Sequence, residues 1–239
     1  MFIHYRTQGI VLKKEERGES DQLFTVFTKD FGKLEILGKG IRKITSKLRA
    51  GIEIFYLSEI EFVQGKNQKI LTDAISIKKF EKIRKNLLKL KIAYKISEVL
   101  SNLIKGEERD EKIWLLLKDT FSKLEKYHLK NERLKLIYYY FFWNLISFLG
   151  YRPQLYFCFL CERKLRPQKI YFSKGGILCE NCFRKNKEGI LITPETVKIL
   201  REILKQNWQI LKRLKIEKKH LRELQKISRF YLEKVLENQ

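Results

Sequence analysis

The chain has 239 residues, 44% apolar and 13% aromatic, enough to pack the core of one or two domains. Wholesale disorder is excluded, and 12 Gly with 3 Pro exclude collagen-like or linker-like classes. Lys and Arg number 51 against 28 Asp and Glu, a net charge of +23 with an isoelectric point near 9.8. Solubility asks for far less, so the excess points to a polyanion partner, either nucleic acid or an anionic membrane surface.

The N-terminus, MFIHYRTQGIVLKK, lacks the basic start, apolar run and small-residue cleavage site of a signal peptide. Residues 1–78 then read as β structure. Ile10-Val11-Leu12, Leu23 to Thr28, Leu34 to Leu37, Ile52 to Val63 and residues 69–77 are five short strand candidates separated by Gly-containing turns. Such a series suggests a small barrel or sandwich. Near residue 79 the apolar period lengthens to three or four. Phe80 to Leu103, Asp110 to Tyr127, Glu132 to Leu149 and about Glu217 to Leu236 read as helices. The most apolar stretch, Leu136 to Leu149, is shorter than the roughly 18–20 residues of a spanning helix and contains Asn144 and Ser147. It is expected to be a buried core helix, and the protein to be soluble, cytoplasmic and without membrane contact. Gly150 and Pro153 end that helix, and Thr193-Pro194 supplies an N-cap and a first-turn proline for the next one. Strands followed by helices make the fold class α+β.

All four cysteines lie in the non-helical stretch 151–189, as Cys158-Phe-Leu-Cys161 and Cys179-Glu-Asn-Cys182, with 17 residues between the pairs. Two CxxC knuckles at this separation close a tetrahedral four-thiolate site, which suits Zn2+. An iron–sulfur cluster uses the same donors and is the rival reading. Four thiolates leave no open position for water, and the three histidines, His4, His128 and His220, are remote in sequence. The metal is therefore expected to be structural, stapling a small insert. The insert is itself basic, with Arg163, Lys164, Arg166, Lys169, Lys174, Arg184, Lys185 and Lys187 against Glu162 and Glu180. It reads equally as a polyanion surface and as a solvated basic face.

A second concentration of charge is Lys39 to Arg49, KGIRKITSKLR, where Lys39, Arg42, Lys43, Lys47 and Arg49 stand without an acid. Gly38 and Gly40 make this a turning loop between strands, and long cations on such a loop can neutralise successive phosphates. These five residues are the candidate DNA-binding set. Lys78 to Lys95 and Lys205 to Arg222 are further basic runs on helices, where a solvated face is the more frequent meaning. Phe24, Phe27, Phe31, Phe55 and Tyr56 are expected in the core rather than as base-stacking rings. Glu19 and Asp21 read as turn or salt-bridge residues. No GxxxxGK[ST], GxSxG or HExxH pattern occurs, so no catalytic constellation is visible and the chain is not expected to be an enzyme.

The strings Gly9-Ile-Val-Leu12, Gly18-Glu-Ser-Asp-Gln-Leu23, Thr25-Val-Phe-Thr28, Phe31-Gly-Lys33, Gly38-Lys-Gly-Ile-Arg-Lys43 and Ser46-Lys-Leu48 resemble, in order, the N-terminal signature of the RecO family of bacterial recombination mediators. The resemblance implies an N-terminal OB-fold over residues 1–78. It also implies a helical domain over 79–239 bearing a four-cysteine zinc insert at 151–189, although some members lack the cysteines. The implied activity, in DNA repair, is binding of single- and double-stranded DNA and annealing of complementary strands without ATP. The implied partners are RecR, single-stranded-DNA-binding protein (SSB) and, in some cases, RecF, in loading RecA on SSB-coated strands. The SSB-contact residues carry no motif here. An RNA-binding or ribosome-associated basic zinc module is the alternative that charge and cysteines also fit. An enzyme using zinc as a Lewis acid is disfavoured by the closed donor set.

Overall fold

The computed structural model describes residues 3–127, 131–164 and 169–237; His128 and Arg166 lie outside them. The chain divides into two compact units, Met1–Tyr127 and His128–Gln239.

In the first unit, β1 (His4–Arg17), β2 (Asp21–Thr28), β3 (Gly32–Gly38), β4 (Leu57–Gln64) and β5 (Lys69–Lys78) form a closed barrel in the order β1-β2-β3-β5-β4. β1 is much longer than its apolar centre suggests. Its first half pairs with β4 and its second half with β2, and the register shifts between Val11 and Lys13 as the strand bends across the barrel. Alternation sorts the side chains. Val11, Phe24, Val26, Leu34, Ile36, Ile60, Phe62 and Leu71 fill the interior. Ile10, Leu12 and Phe27 are just as buried but lie outside that cluster. Their burial fits an outer barrel face covered by helices.

The covering elements are α1 (Glu81–Arg84), α2 (Leu87–Leu103) and α3 (Glu111–Lys126). The periodic run from Phe80 to Leu103 is thus broken. Asn86 caps α2 by accepting from Lys89 N at 3.0 Å, because a side-chain acceptor here competes with continuation of α1. Asp110 caps α3 in the same way at 2.9 Å. The Lys33 ammonium, partly withdrawn from water, donates to the carbonyls of Ser101 (2.9 Å) and Ile104 at the end of α2, where the helix dipole favours a cation.

The strand expected from Ile52 to Val63 begins only at Leu57. Ile52 plugs the barrel interior, whereas the buried Phe55 ring meets Tyr94 at 4.9 Å and Phe121 at 5.7 Å. The chain reaches both clusters by turning, with Phe55 at φ 64°. That backbone costs about 1–3 kcal/mol and is offset by burial of the ring. Gly51 precedes the turn, and any Cβ there would lie 1.7 Å from the Ala74 carbonyl oxygen.

The second unit holds α4 (Asn131–Phe148), a three-stranded sheet of β6 (Ile170–Ser173), β7 (Gly176–Cys179) and β8 (Ile190–Ile192) in the order β7-β6-β8, the short α5 (Glu180–Asn186), then α6 (Pro194–Leu204), α7 (Trp208–Leu211) and α8 (Lys218–Leu236). The run from Leu136 is the buried centre of this unit. No helix among the described residues is long and apolar enough to cross a membrane. The Asn144 amide nitrogen is satisfied there, donating to the carbonyls of Tyr140 (2.8 Å) and Ile203 (3.0 Å). Trp143 joins the helices to the sheet through Phe172 (5.5 Å) and Tyr231 (5.1 Å).

Thr193 caps α6, and the Glu223 carboxylate of α8 locks that cap. It accepts from Thr193 N (2.9 Å), Thr193 Oγ1 (2.8 Å) and Thr196 Oγ1 (2.6 Å). Burial opposes its ionisation, but these donors outweigh burial and hold the carboxyl below the usual carboxylate range. A depressed folded-state pKa stabilises the fold above the unfolded pKa, and this contribution is lost as pH falls through the folded value. Glu223→Gln is expected to cost about 1–2 kcal/mol at neutral pH. Thermal melts from pH 7 down through pH 3 should show the gap between variant and parent closing at the acid end.

Candidate nucleic-acid surface and metal centre

The barrel positions the basic loop. β3 must pair in parallel with β5 (Ile36 opposite Lys69, Leu37 opposite Ile70), so residues 39–56 cross from one edge of the sheet to the start of β4. The crossing is pinned from within. Ile41 is buried in the barrel and Leu48 packs against the same cluster. Gly40, at φ 61°, donates its N–H to Asp21 Oδ1 at 2.7 Å, and Arg42 N donates to the Ser20 carbonyl at 2.9 Å. The β1–β2 turn therefore clamps the loop. Residues Lys47–Ala50 form a single 3-10 turn closed by Gly51 N on the Leu48 carbonyl.

Lys39, Arg42, Lys43, Lys47 and Arg49 are all exposed. The five residues singled out from sequence thus lie on one anchored loop. Arg42 and Arg49 line a polar cleft of about 340 Å3 with Lys14, Glu16, Gln22 and Glu53. Arg42 pairs with Glu16 at 3.3 Å and Lys14 with Glu53 at 2.5 Å. Exposed pairs of this kind are weak and yield to a better anion. Ile44, 95% exposed at the loop tip, is an apolar side chain amid the cations that charge counting did not single out. The sequence marks Asp21 as a turn or salt-bridge residue but not its partner 19 positions away, because that contact exists only once the barrel closes.

The other basic runs divide. Lys89 is buried and donates to the Glu125 carbonyl at 3.1 Å, and burial pushes its ammonium pKa down. Arg84 lies 4.8 Å over the Tyr56 ring and Lys78 5.0 Å over Phe80. Lys89 and Arg84 are thus committed within the first unit, whereas Lys78 stays exposed. Lys205, Arg213, Lys215, Lys218, Lys219 and Arg222 are exposed, with Lys205 paired to Glu202 at 2.7 Å. Phe24, Phe27, Phe55 and Tyr56 are buried, and Phe31 packs on Tyr5 and Phe62.

The four cysteines converge in the second unit. A bridge between Phe157 and Lys164 closes the first knuckle, with Cys158 N donating to the Arg163 carbonyl at 3.0 Å and Glu162 N to the Cys158 carbonyl at 2.9 Å. The second knuckle begins at the end of β7 and turns into α5. All four Sγ atoms lie within 4.8 Å of one another, and those of Cys161 and Cys179 are 3.9 Å apart. That is far too long for a disulfide and close to the edge, about 3.8 Å, of a tetrahedron built on metal–sulfur bonds of about 2.3 Å. Burial disfavours the Cys158 thiolate, yet the N–H groups of Cys179, Cys161 and Leu160 outweigh it and bring the thiol down to about 6. Burial and the neighbouring thiols push Cys182 up to about 12. Four such thiols ionise together only around a cation, so the donor set fits a divalent metal.

The comparisons with known proteins decide the family. The family model described as Recombination protein O N terminal matches residues 1–80, and Recombination protein O C terminal matches residues 84–239. The chain belongs to the RecO family. Proteins named DNA repair protein RecO are similar along nearly their whole length. That of Dehalococcoides mccartyi strain BAV1 is 31% identical over 237 residues, 98% of this chain and 92% of the relative. That of Thermodesulfovibrio yellowstonii is 33% identical over 244 residues, 98% and 94%. That of Caldanaerobacter subterraneus subsp. tengcongensis is 28% identical over 232 residues, 97% and 93%. The five-stranded barrel is the OB-fold of this DNA repair family, and a four-cysteine cluster able to hold a metal ion sits in its helical part. The family match changes models between residues 80 and 84, whereas the compact unit built on the barrel continues through α3.

The clamp on the basic loop can be tested directly. Asp21→Ala removes the acceptor of Gly40 N–H. It is expected to cost about 1 kcal/mol and to speed tryptic cleavage after Lys39, Arg42 and Lys43 several-fold, read as initial rates of limited proteolysis under native conditions.

Proposed function

We propose that the protein is a recombination mediator of DNA repair that binds single- and double-stranded DNA and anneals complementary strands without ATP. With RecR, and in some settings RecF, it helps load RecA on SSB-coated single strands. The observation that carries this reading is the anchored loop of Lys39, Arg42, Lys43, Lys47 and Arg49 on an OB barrel of a RecO-family chain. Residues 1–78 form the DNA-binding domain in this reading, and residues 79–239 the helical domain with the insert at 151–189.

Annealing follows from charge. Strands repel through their phosphates, and cations displace condensed counterions when they neutralise them. A surface holding two strands at once lowers that repulsion and raises the local strand concentration, so pairing needs no nucleotide. The loop suits this because its backbone is ordered before DNA arrives, so only side chains lose freedom on binding.

The test is annealing of complementary strands pre-coated with SSB, without nucleotide. Rapid pairing is expected; good binding to naked strands with no pairing of coated ones would overturn the mediator reading. Replacing Arg42, Lys43 and Lys47 with Glu should weaken binding to all sequences alike. It should also reduce the slope of log K against log salt by at least about 2 on single strands. An unchanged slope would remove this loop from the contact surface.

We assign the four cysteines to a structural Zn2+ held by Cys158, Cys161, Cys179 and Cys182. The metal would neutralise the thiolates and fix both knuckles, and it has no open position for chemistry. Cys179→Ser is expected to lose stoichiometric zinc and to open residues 154–164 to proteases, with α4, α6 and α8 still folded. Zinc content and protease resistance equal to the parent's would contradict the structural role.

A further inference from the structure

We infer that the first cysteine knuckle and the segment leading into it form an aromatic platform on which bases of single-stranded DNA stack, separate from the basic loop of the barrel. The inference deepens the DNA-binding reading and rests on it.

Tyr156, Phe157, Phe159 and Leu160 are 54%, 39%, 45% and 50% exposed. These four large apolar side chains lie within five consecutive residues. Elsewhere the aromatic residues are mostly internal, so a contiguous exposed group marks a contact surface rather than spare composition. Tyr156, Phe157 and Phe159 line one groove of about 530 Å3 with Arg152, Glu162 and Gly175, within the range of about 300–1,000 Å3 typical of ligand clefts.

The rings are held in place. The Arg201 side chain is fixed by donating from Nε (2.9 Å) and Nη2 to the Leu155 carbonyl, and its guanidinium lies 4.6 Å from the centre of the Tyr156 ring. One face of Tyr156 is thus braced by a cation, and the ring remains more than half exposed. Phe159 lies down on Gly175, where any Cβ would come within 2.3 Å of the ring. Its N–H donates to the Ile177 carbonyl at 2.8 Å, which ties the knuckle to β7. Rings fixed by backbone and by a stacked guanidinium lose little freedom when a flat partner arrives.

The chemistry of the occupant follows from the lining. Ring faces accept any nucleobase, and stacking on them is tolerant of sequence. Arg152 lines the groove, Lys174 adjoins Gly175 in sequence, and Arg201 and Lys205 lie beside Tyr156. Glu162 is the one acid in the groove lining. An apolar protein segment would find aliphatic walls more complementary, and it would make no use of Arg152, Lys174 and Lys205, the last held only by a surface pair with Glu202. A phosphate-linked chain of bases uses both rings and cations. Two DNA contacts on one chain also suit a protein that must hold one strand while a second strand pairs.

The test compares a single strand of thymidines with an abasic strand of equal length and charge, both fluorescently labelled, against full-length protein. The parent is expected to prefer the base-bearing strand by about five-fold or more, the effect of about one stacked base. Tyr156→Leu and Phe159→Leu keep apolar bulk but remove the ring face. Each should shrink that preference while affinity for the abasic strand, its salt slope and metal content stay as in the parent. On the unaltered protein, irradiated bromodeoxyuridine strands should crosslink within residues 152–162. Equal affinity of the parent for both strands, crosslinks confined to the barrel, or undiminished base preference in both folded leucine variants would overturn the platform and leave the groove to a protein partner. Binding of neither strand by the parent would overturn the DNA-binding reading as well.

Discussion

Closure of the barrel through the parallel pairing of β3 with β5 is the constraint on which the first unit depends. Only two residue pairs make that contact, yet they decide the path of the chain. Once β3 and β5 are neighbours, the next strand in sequence cannot follow β3 directly. The intervening chain has to cross the barrel end to reach β4 beside β1. A long crossing segment with unpaired backbone is costly unless its polar groups and apolar side chains find partners. Here Ile41, Leu48 and Ile52 fill or abut the barrel interior, while Asp21 and Ser20 accept from the backbone of residues 40 and 42. With the apolar residues pinned inward, the cations between them are left outside. The loop's charge display is thus a by-product of closing the sheet.

The net charge of +23 does not translate evenly into surface available to a polyanion. Lys33 and Lys89 are committed to helix-end carbonyls, and Arg84 to the Tyr56 ring. These side chains bring their aliphatic stems into packed surroundings and keep their heads on fixed partners. By contrast, the one ion pair described for a loop cation joins Arg42 to Glu16, a contact in high dielectric that a phosphate displaces at little cost.

Much of this was legible in the sequence where a single local signal decides the outcome. The CxxC spacing, the Thr193-Pro194 start of α6 and the solid apolar run of α4 each carry their meaning within a few residues. The five loop cations stood out because no acid interrupts them. What escaped was set by tertiary partners. Residues 52–56 have the alternation of a strand, but Ile52 and Phe55 answer to two different apolar clusters and the chain must turn between them. The break at Lys85-Asn86 falls in a run whose apolar period continues on both sides, and only the side-chain cap reveals it. Lys89 reads as one more surface lysine until α3 presents its last carbonyls. The exposed rings of the knuckle carry no signal in the sequence, since nothing in it states which side of a four-residue loop faces water.

The cysteine-bearing insert shows how a small module is supported from two ends. At one end four thiols converge in a group that could hold a metal ion, and burial with the neighbouring thiols pushes Cys182 up to about 12. At the other end Phe172 is wholly buried between Trp143 of α4 and Tyr231 of α8, and the Tyr231 hydroxyl donates to the Tyr151 carbonyl at 2.9 Å, at the start of the insert. The sheet of β6, β7 and β8 is therefore seated on the helical core by aromatic packing that requires no metal. The first knuckle is less packed, with its intervening Phe159 and Leu160 about half exposed, whereas the second is braced beside Cys182 by Phe183, which stacks on Tyr171 at 3.7 Å. With this division, a metal held by the four thiols would be a local restraint on the knuckles rather than the foundation of the unit.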